Sequence, residues 1–241
     1  MISTDSNAAR LDHLVFGTAS LAGGADAFAR RTGVRLPPGG RHPLMGTHNR
    51  LTRVAEGSFV ELIAIDPEAA PPGRSRWFSL DDTTTAARLA EGPALLAWVV
   101  GVDDLDAALG AALDAGVEAG RAVMQRRGEL SWRISVRDDG ALVEGGAFPA
   151  LIEWPDGAGA AARMTDVGLR VLALEITHPD PARLAVALEA IGAGALAGLA
   201  EGEPGIGAVL RTADGAETRW GSIGEGVERS PSAPASGKVR R

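Results

Sequence analysis

Apolar residues along the chain recur in two rhythms. Leu11 to Gly17 (LDHLVFG) is an apolar run of strand length, and Leu21 to Thr32 has helical spacing that stops at Gly33. Thr47 to Ala55 (THNRLTRVA) alternates as a half-buried strand does, whereas Phe59 to Ile65 (FVELIAI) runs without alternation. Glu56-Gly57-Ser58 between them predicts a hairpin turn. The result is a β-α-β-β unit, with an extra short strand expected near Val34–Leu36. After a loop at Asp66 to Gly73 and a connector with a helix over Thr84 to Ala90, the order returns. Ala94 to Val102 is a strand, Asp104 to Ala115 a helix with Leu105, Leu109 and Leu113 on one side, and Leu130 to Val136 and Phe148 to Trp154 are strands.

The return is an internal duplication: HLVFGTASL from His13 lies over AWVVGVDDL from Ala97, matching glycines and helix starts. A third, shorter copy starts at Val171 to Thr177, turns at His178 to Pro181, continues as a helix over Ala182 to Ile191 and ends with a strand at Ala208 to Thr212. The expected organisation is a domain over 10–160, with module one at about 10–67 and module two at about 94–156. A C-terminal half-module follows at 168–222. From residue 223 the chain is rich in Pro, Ser and Gly with few apolar positions, which predicts a disordered tail.

Composition narrows the function. The 241 residues carry 24 Lys+Arg against 31 Asp+Glu, 24 − 31 = −7, which argues against nucleic acid or an anionic membrane as the main partner. With 45% hydrophobic and 23% charged residues the chain has the material for a sizeable core. Absence of cysteine excludes a disulfide framework and a thiolate nucleophile and leaves any metal to N and O ligands. Met1 to Arg10 is polar, and no later apolar run reaches the roughly 20 residues that span a bilayer, so a cytoplasmic location is expected. Gly23-Gly24 and Gly39-Gly40 lack the GK[ST] of a phosphate loop, and neither a dinucleotide fingerprint nor a G-x-S-x-G elbow is present.

Two side chains stand out. His13 sits within an apolar strand, with Leu11 and Val15 on its face, as a metal ligand or as a hydrogen-bonded core histidine. Glu61 lies in a strand otherwise apolar on both sides, where an unpaired charge costs several kcal/mol. A metal, His13 or an arginine such as Arg53 would compensate it. Glu175 and His178 read as helix-start chemistry beside Asp180 and Pro181.

LDHLVFG, the glycine-rich GGRHPLMGTHN from Gly39 to Asn49, and FVELIAIDP from Phe59 to Pro67 resemble a glyoxalase-like domain of the vicinal oxygen chelate superfamily. The resemblance covers Leu11 to about Pro155 and implies an α+β fold: two β-α-β-β-β modules forming a cupped mixed sheet around a cavity, here with the C-terminal half-module added. It implies a divalent metal (Fe, Mn, Zn or Ni) held by residues of the first and last module strands, which makes His13 and Glu61 neighbours. His48, opening a strand of the same module between small residues, is the expected third ligand, with Glu61 and His13 as the catalytic groups. Arg41, His42, Asn49, Trp98, Trp132 and Glu153 are the expected substrate contacts. The internal alignment places Ala97 and Ala150 where a second His13 and a second Glu61 would stand, and Glu153 has the opposite strand parity. The implied function is a metal-dependent small-molecule enzyme of lyase, isomerase or dioxygenase type. A metal-free protein that binds small ligands, as drug-sequestering relatives do, is the alternative, and acid–base chemistry by Glu61 and His13 without metal is a third reading. A small molecule is the expected partner, in a monomer or homodimer.

Overall fold

The computed structural model describes residues 9–155 and 159–221; the polar opening at 1–8 and the whole of the expected disordered tail lie outside the described residues. Module one runs β1 (Arg10–Gly17), α1 (Leu21–Thr32), β2 (Pro38–His42), β3 (Thr47–Ala55), β4 (Ser58–Ile65). The connector carries α2 (Thr83–Ala90), and module two is β5 (Ala94–Gly101), α3 (Leu105–Asp114), β6 (Arg121–Arg127), β7 (Leu130–Val136), β8 (Ala150–Glu153). The C-terminal part is β9 (Arg170–His178), α4 (Pro181–Ala190), β10 (Gly198–Glu201), β11 (Gly205–Arg211), β12 (Glu217–Gly221). Each α-helix starts where a side-chain oxygen takes up a free first-turn N–H: Ser20, Asp82, Asp104 and Asp180.

Both modules join one eight-stranded mixed sheet, ordered β2-β3-β4-β1-β5-β8-β7-β6. The first strand of each module pairs in parallel with its last, β1 with β4 and β5 with β8, and the modules meet along the antiparallel β1–β5 seam. The duplication holds to the residue. Val15 sits opposite Glu61 in one module and Val99 opposite Ala150 in the other, as the alignment of His13 with Ala97 requires. The seam has two register breaks, which leave Asp12 unpaired on β1 and Leu96 unpaired on β5. Asp12 stands one place before His13 and Leu96 one place before Ala97, so the two bulges are also equivalent.

Curvature gives the sheet an outer and an inner face. Outward side chains Leu14, Phe16, Leu62, Trp98 and Val100 pack with Phe28 of α1, Leu105 of α3 and the second sheet. That sheet, ordered β10-β9-β11-β12, keeps its first strand inside rather than at a seam. It covers the outer face through Leu174, Ile176, Leu210 and Trp220, with the Trp220 ring 4.9 Å from Phe16 and stacked on Phe28 at 5.4 Å. The half-module therefore lies on the face opposite the inner side chains Val15, Phe59, Ile63, Val99, Trp132, Ile134, Ile152 and Trp154.

Four strands differ from the apolar pattern. The strand expected near Val34–Leu36 falls at Pro38–His42; Val34 and Leu36 are buried loop residues of the outer core. β6 carries RAVMQRR, whose arginines hide its alternation, and β10 and β12 are short edge strands with mostly non-buried residues. Such strands form because a neighbour supplies a ladder, which one-dimensional periodicity does not register. Among the described residues no helix is long and apolar enough to cross a membrane.

Candidate active site

The inner face curves round a small cavity, lined on one side by His13, His42, Asn49, Phe59 and Glu61, and on the other by Trp132, Ile134, Ile152 and Trp154. Its polarity follows from the duplication. His13 aligns with Ala97 and Glu61 with Ala150, and the pairs Asn49–Ile63 and Ile134–Ile152 make Asn49 the counterpart of Ile134. Asp12 aligns likewise with Leu96. Module one thus supplies four polar side chains at positions where module two has apolar ones.

The bulge explains how neighbours in a strand act together. Regular alternation would send Asp12 and His13 to opposite faces, but the unpaired position lets Asp12 turn to the inner side. There its Oδ1 lies 2.6 Å from His13 Nδ1, and its Oδ2 accepts a 2.8 Å hydrogen bond from the Trp154 indole N–H. The His13 ring stacks on Phe59 at 4.4 Å. Its Nε2 is 3.6 Å from Glu61 Oε2, just beyond hydrogen-bond length. Glu61 Oε1 accepts from Asn49 Nδ2 at 2.6 Å. Asn49 is oriented by the Gly40 backbone N–H, which donates to its Oδ1 at 2.7 Å, so its amide group faces Glu61 and His42.

Burial works against the His13 imidazolium, but the contacts with Asp12 and Glu61 and their charges outweigh it, and His13 is pushed up to about 9. Burial also works against the Glu61 carboxylate; His13, His42 and Asn49 reverse this and hold it below the usual range. Near neutral pH the cavity therefore holds a protonated His13 beside an ionised Glu61. His42 behaves differently: burial, with Arg127 and the other histidines adding to it against the pull of Glu61, takes it down to about 4, a neutral ring between Thr47 and Asn49.

The wall opposite the sheet is the connector. Phe78 and Ser79 both have left-handed backbone, φ 58° and 55°, a strained conformation for a bulky residue. Ser79 is tied to Gly140 and Leu142, and this turn presents Trp77 stacked on Phe78. At the mouth, β2 and β6 approach, and the Arg127 side chain crosses Gly40, where a Cβ would collide with its Cδ. Its guanidinium lies 3.4 Å from Asn49 Oδ1 and 5.9 Å from the Trp132 ring.

His13, Glu61, His42, Asn49 and Trp132 of the expected site come together here. The other four do not. His48 pairs with Ala64, the parity opposite to Asn49 and Glu61, so it faces the other side of β3 and is no third ligand to His13 and Glu61. Arg41 is exposed and pairs with Asp66 and Glu68. Trp98 belongs to the outer core, where its N–H donates to Ala147 O. Glu153 keeps its parity, accepts from the Leu105 N–H at the start of α3 and pairs with Arg133. Sequence reasoning gave no site role to Asp12 or Arg127, and Trp77 and Trp154 stood only among five tryptophans read as core or pocket candidates. The one available signal was Asp12, a charged residue beside His13 in an apolar run.

A three-ligand metal centre does not fit this donor set. His13 and Glu61 converge, but Asn49 presents N–H rather than oxygen to Glu61 and to His42 Nε2. Among the described residues no group of three His, Asp or Glu side chains forms a metal-holding cluster.

Comparison with known proteins bears on the fold. No curated protein sequence matches the chain. A hypothetical protein from Staphylococcus aureus superposes with TM-score 0.52 at 12% identity, over 76% of this chain and 75% of that one. Methylmalonyl-CoA epimerase from Mycobacterium tuberculosis gives 0.41 at 23%, covering 64% and 92%. A variant of the Streptomyces coelicolor enzyme in complex with 2-nitronate-propionyl-CoA gives 0.39 at 19%, covering 60% and 96%. Residues 11–192 match the family described as Glyoxalase-like domain, and by that match the chain belongs to this family.

Proposed function

We propose that this chain is a small-molecule enzyme that moves a proton on a carbonyl compound bound in the inner cavity, using His13 and Glu61 rather than a metal. The observation that carries this reading is the 3.6 Å gap between His13 Nε2 and Glu61 Oε2 on the cavity wall. Each group is fixed from behind, His13 by Asp12 and Glu61 by Asn49, while their facing atoms make no hydrogen bond with one another. A substrate carbonyl oxygen accepting from the His13 Nε2–H brings an adjacent C–H to Glu61. Glu61 takes that proton, the C–H electron pair moves into the new C=C bond, and the carbonyl oxygen gains the charge that His13 stabilises. Return of the proton to the same carbon exchanges or inverts it; return to the next carbon isomerises the substrate. The aromatic walls exclude water, which strengthens the electrostatic interaction.

The test is hydrogen–deuterium exchange at the methylene of phenylacetone in D2O, followed by proton NMR. Exchange that survives EDTA and falls at least a hundredfold in Glu61→Gln and in His13→Gln supports the reading. Exchange that requires added Mn2+, Fe2+, Zn2+ or Ni2+, with stoichiometric calorimetric binding lost in both variants, overturns the metal-free mechanism. Absence of exchange in the wild type overturns the proton-transfer activity itself. A binding function without turnover then takes its place if phenylacetone perturbs the Trp132 and Trp154 indole signals.

A further inference from the structure

We propose that the natural ligand of this cavity is a small aromatic carboxylate, its carboxylate received by Arg127 and its ring lying on the apolar module-two wall. The proposal rests on the reading of the cavity as a substrate site and goes further by naming the class of molecule it takes.

Three observations carry it. First, the cavity has more donors than its own acceptors use. The Trp77 indole N–H, on the cavity wall, is buried without a hydrogen-bond partner. His13 Nε2 also lacks a partner within hydrogen-bond length. A buried donor left open is destabilising, so a ligand rich in acceptor oxygens relieves the deficit. Second, Arg127 is half-buried, and among the described residues no carboxylate lies within ion-pair distance of it. Its one hydrogen bond, to Asn49 Oδ1, is long at 3.4 Å. A planar guanidinium in this setting matches a carboxylate, which it binds through two parallel N–H···O bonds. Third, Arg127 and Glu61 bond to opposite ends of one Asn49 amide. The Arg127 guanidinium is thus joined to the proton-transfer pair through Asn49, and the cavity it borders is also lined by Trp132, Trp154, Ile134 and Ile152. Flat rings suit those indoles, which stand 5.4 Å apart.

The mouth of the cavity is built for this guanidinium. Gly40 leaves the space that the Arg127 side chain crosses, so Gly40→Ala displaces the guanidinium while leaving its charge on the protein. Arg127→Gln removes the charge.

The experiment titrates trans-cinnamate and its neutral amide, cinnamamide, into the full chain, read by calorimetry and by the indole NMR signals of Trp77, Trp132 and Trp154. Thermal unfolding checks that each variant is folded. The expected result is cinnamate binding at least tenfold tighter than cinnamamide to the wild type, with that preference lost in Arg127→Gln and reduced in Gly40→Ala. Equal binding of acid and amide to the wild type, or an undiminished preference in Arg127→Gln, overturns the carboxylate assignment and leaves the proton-transfer reading standing. If neither probe binds while phenylacetone still exchanges, the assignment fails alone; if phenylacetone also neither exchanges nor perturbs the indoles, the cavity reading fails with it.

Discussion

Replacing Asp12 by Asn changes one charge and very little volume, and its consequence is worked out from two hydrogen bonds. In the wild type both Asp12 oxygens accept, one from the Trp154 N–H and one from His13 Nδ1–H. An asparagine has a single acceptor oxygen. With that oxygen kept on Trp154, the amide N–H group faces His13 Nδ1, which must then be an unprotonated acceptor. His13, pushed up to about 9 in the wild type, falls in the variant, because the hydrogen bond and charge of Asp12 are lost and burial is then opposed by Glu61 alone. A rise from 6.5 to about 9 corresponds to about 3 kcal/mol of folding free energy held by the protonated form, at ~1.4 kcal/mol per unit. That stability is fully present below pH 6.5 and disappears as the pH climbs through 9. Wild type should therefore lose about 3 kcal/mol between pH 6 and pH 10. The variant should be less stable by a few kcal/mol at pH 6 and close to wild type at pH 10. Guanidinium unfolding at several pH values, with NMR titration of the His13 ring, measures both quantities. Stability curves of wild type and variant that run parallel from pH 6 to pH 10 would refute the reasoning.

Asn49→Ala leaves Glu61 Oε1 and the Gly40 N–H unsatisfied inside the cavity, and should cost about 3–5 kcal/mol in urea unfolding. Since Asn49 helps hold the Glu61 carboxyl below its usual range, the variant should also lose less stability than wild type as the pH falls below the ordinary glutamate range; a cost under about 1 kcal/mol near neutral pH would contradict the buried network. Trp220→Ala removes the ring that joins the second sheet to Phe16 and Phe28, and should cost about 3–5 kcal/mol while the indole signals of the cavity tryptophans stay in place. A variant in which Trp132 and Trp154 shift as much as the outer core would show that the two faces are not separate.

Local chemistry made much of the architecture legible. β1, α1, β3, β4, β5 and α3 lie where apolar spacing and capping residues put them, because hydrophobic period and a first-turn acceptor act within a few residues of sequence. β2, β6, β10 and β12 escaped because an edge strand takes its stability from a partner that is distant along the chain. In the site, the His13–Glu61 neighbourhood followed from two apolar strands each carrying one polar residue. His48 and Trp98 were misplaced because a residue type says nothing about which face of the sheet it occupies; register settles that, and a shift of one residue reverses every side chain.

Sequence alone determined that the chain is a duplicated β-α-β-β-β protein, with its charged inner residues in the first copy and alanines at the matching places in the second, since repeat and period are properties of order along the chain. Tertiary structure decided what those charges do. The seam bulge turned Asp12 beside His13, β6 carried Arg127 over Gly40 to Asn49, and the strained turn at Phe78 brought Trp77 to the wall. Each of these depends on strands or loops far apart in sequence meeting at fixed register, and the energy of a buried charge depends on those meetings rather than on its neighbours along the chain.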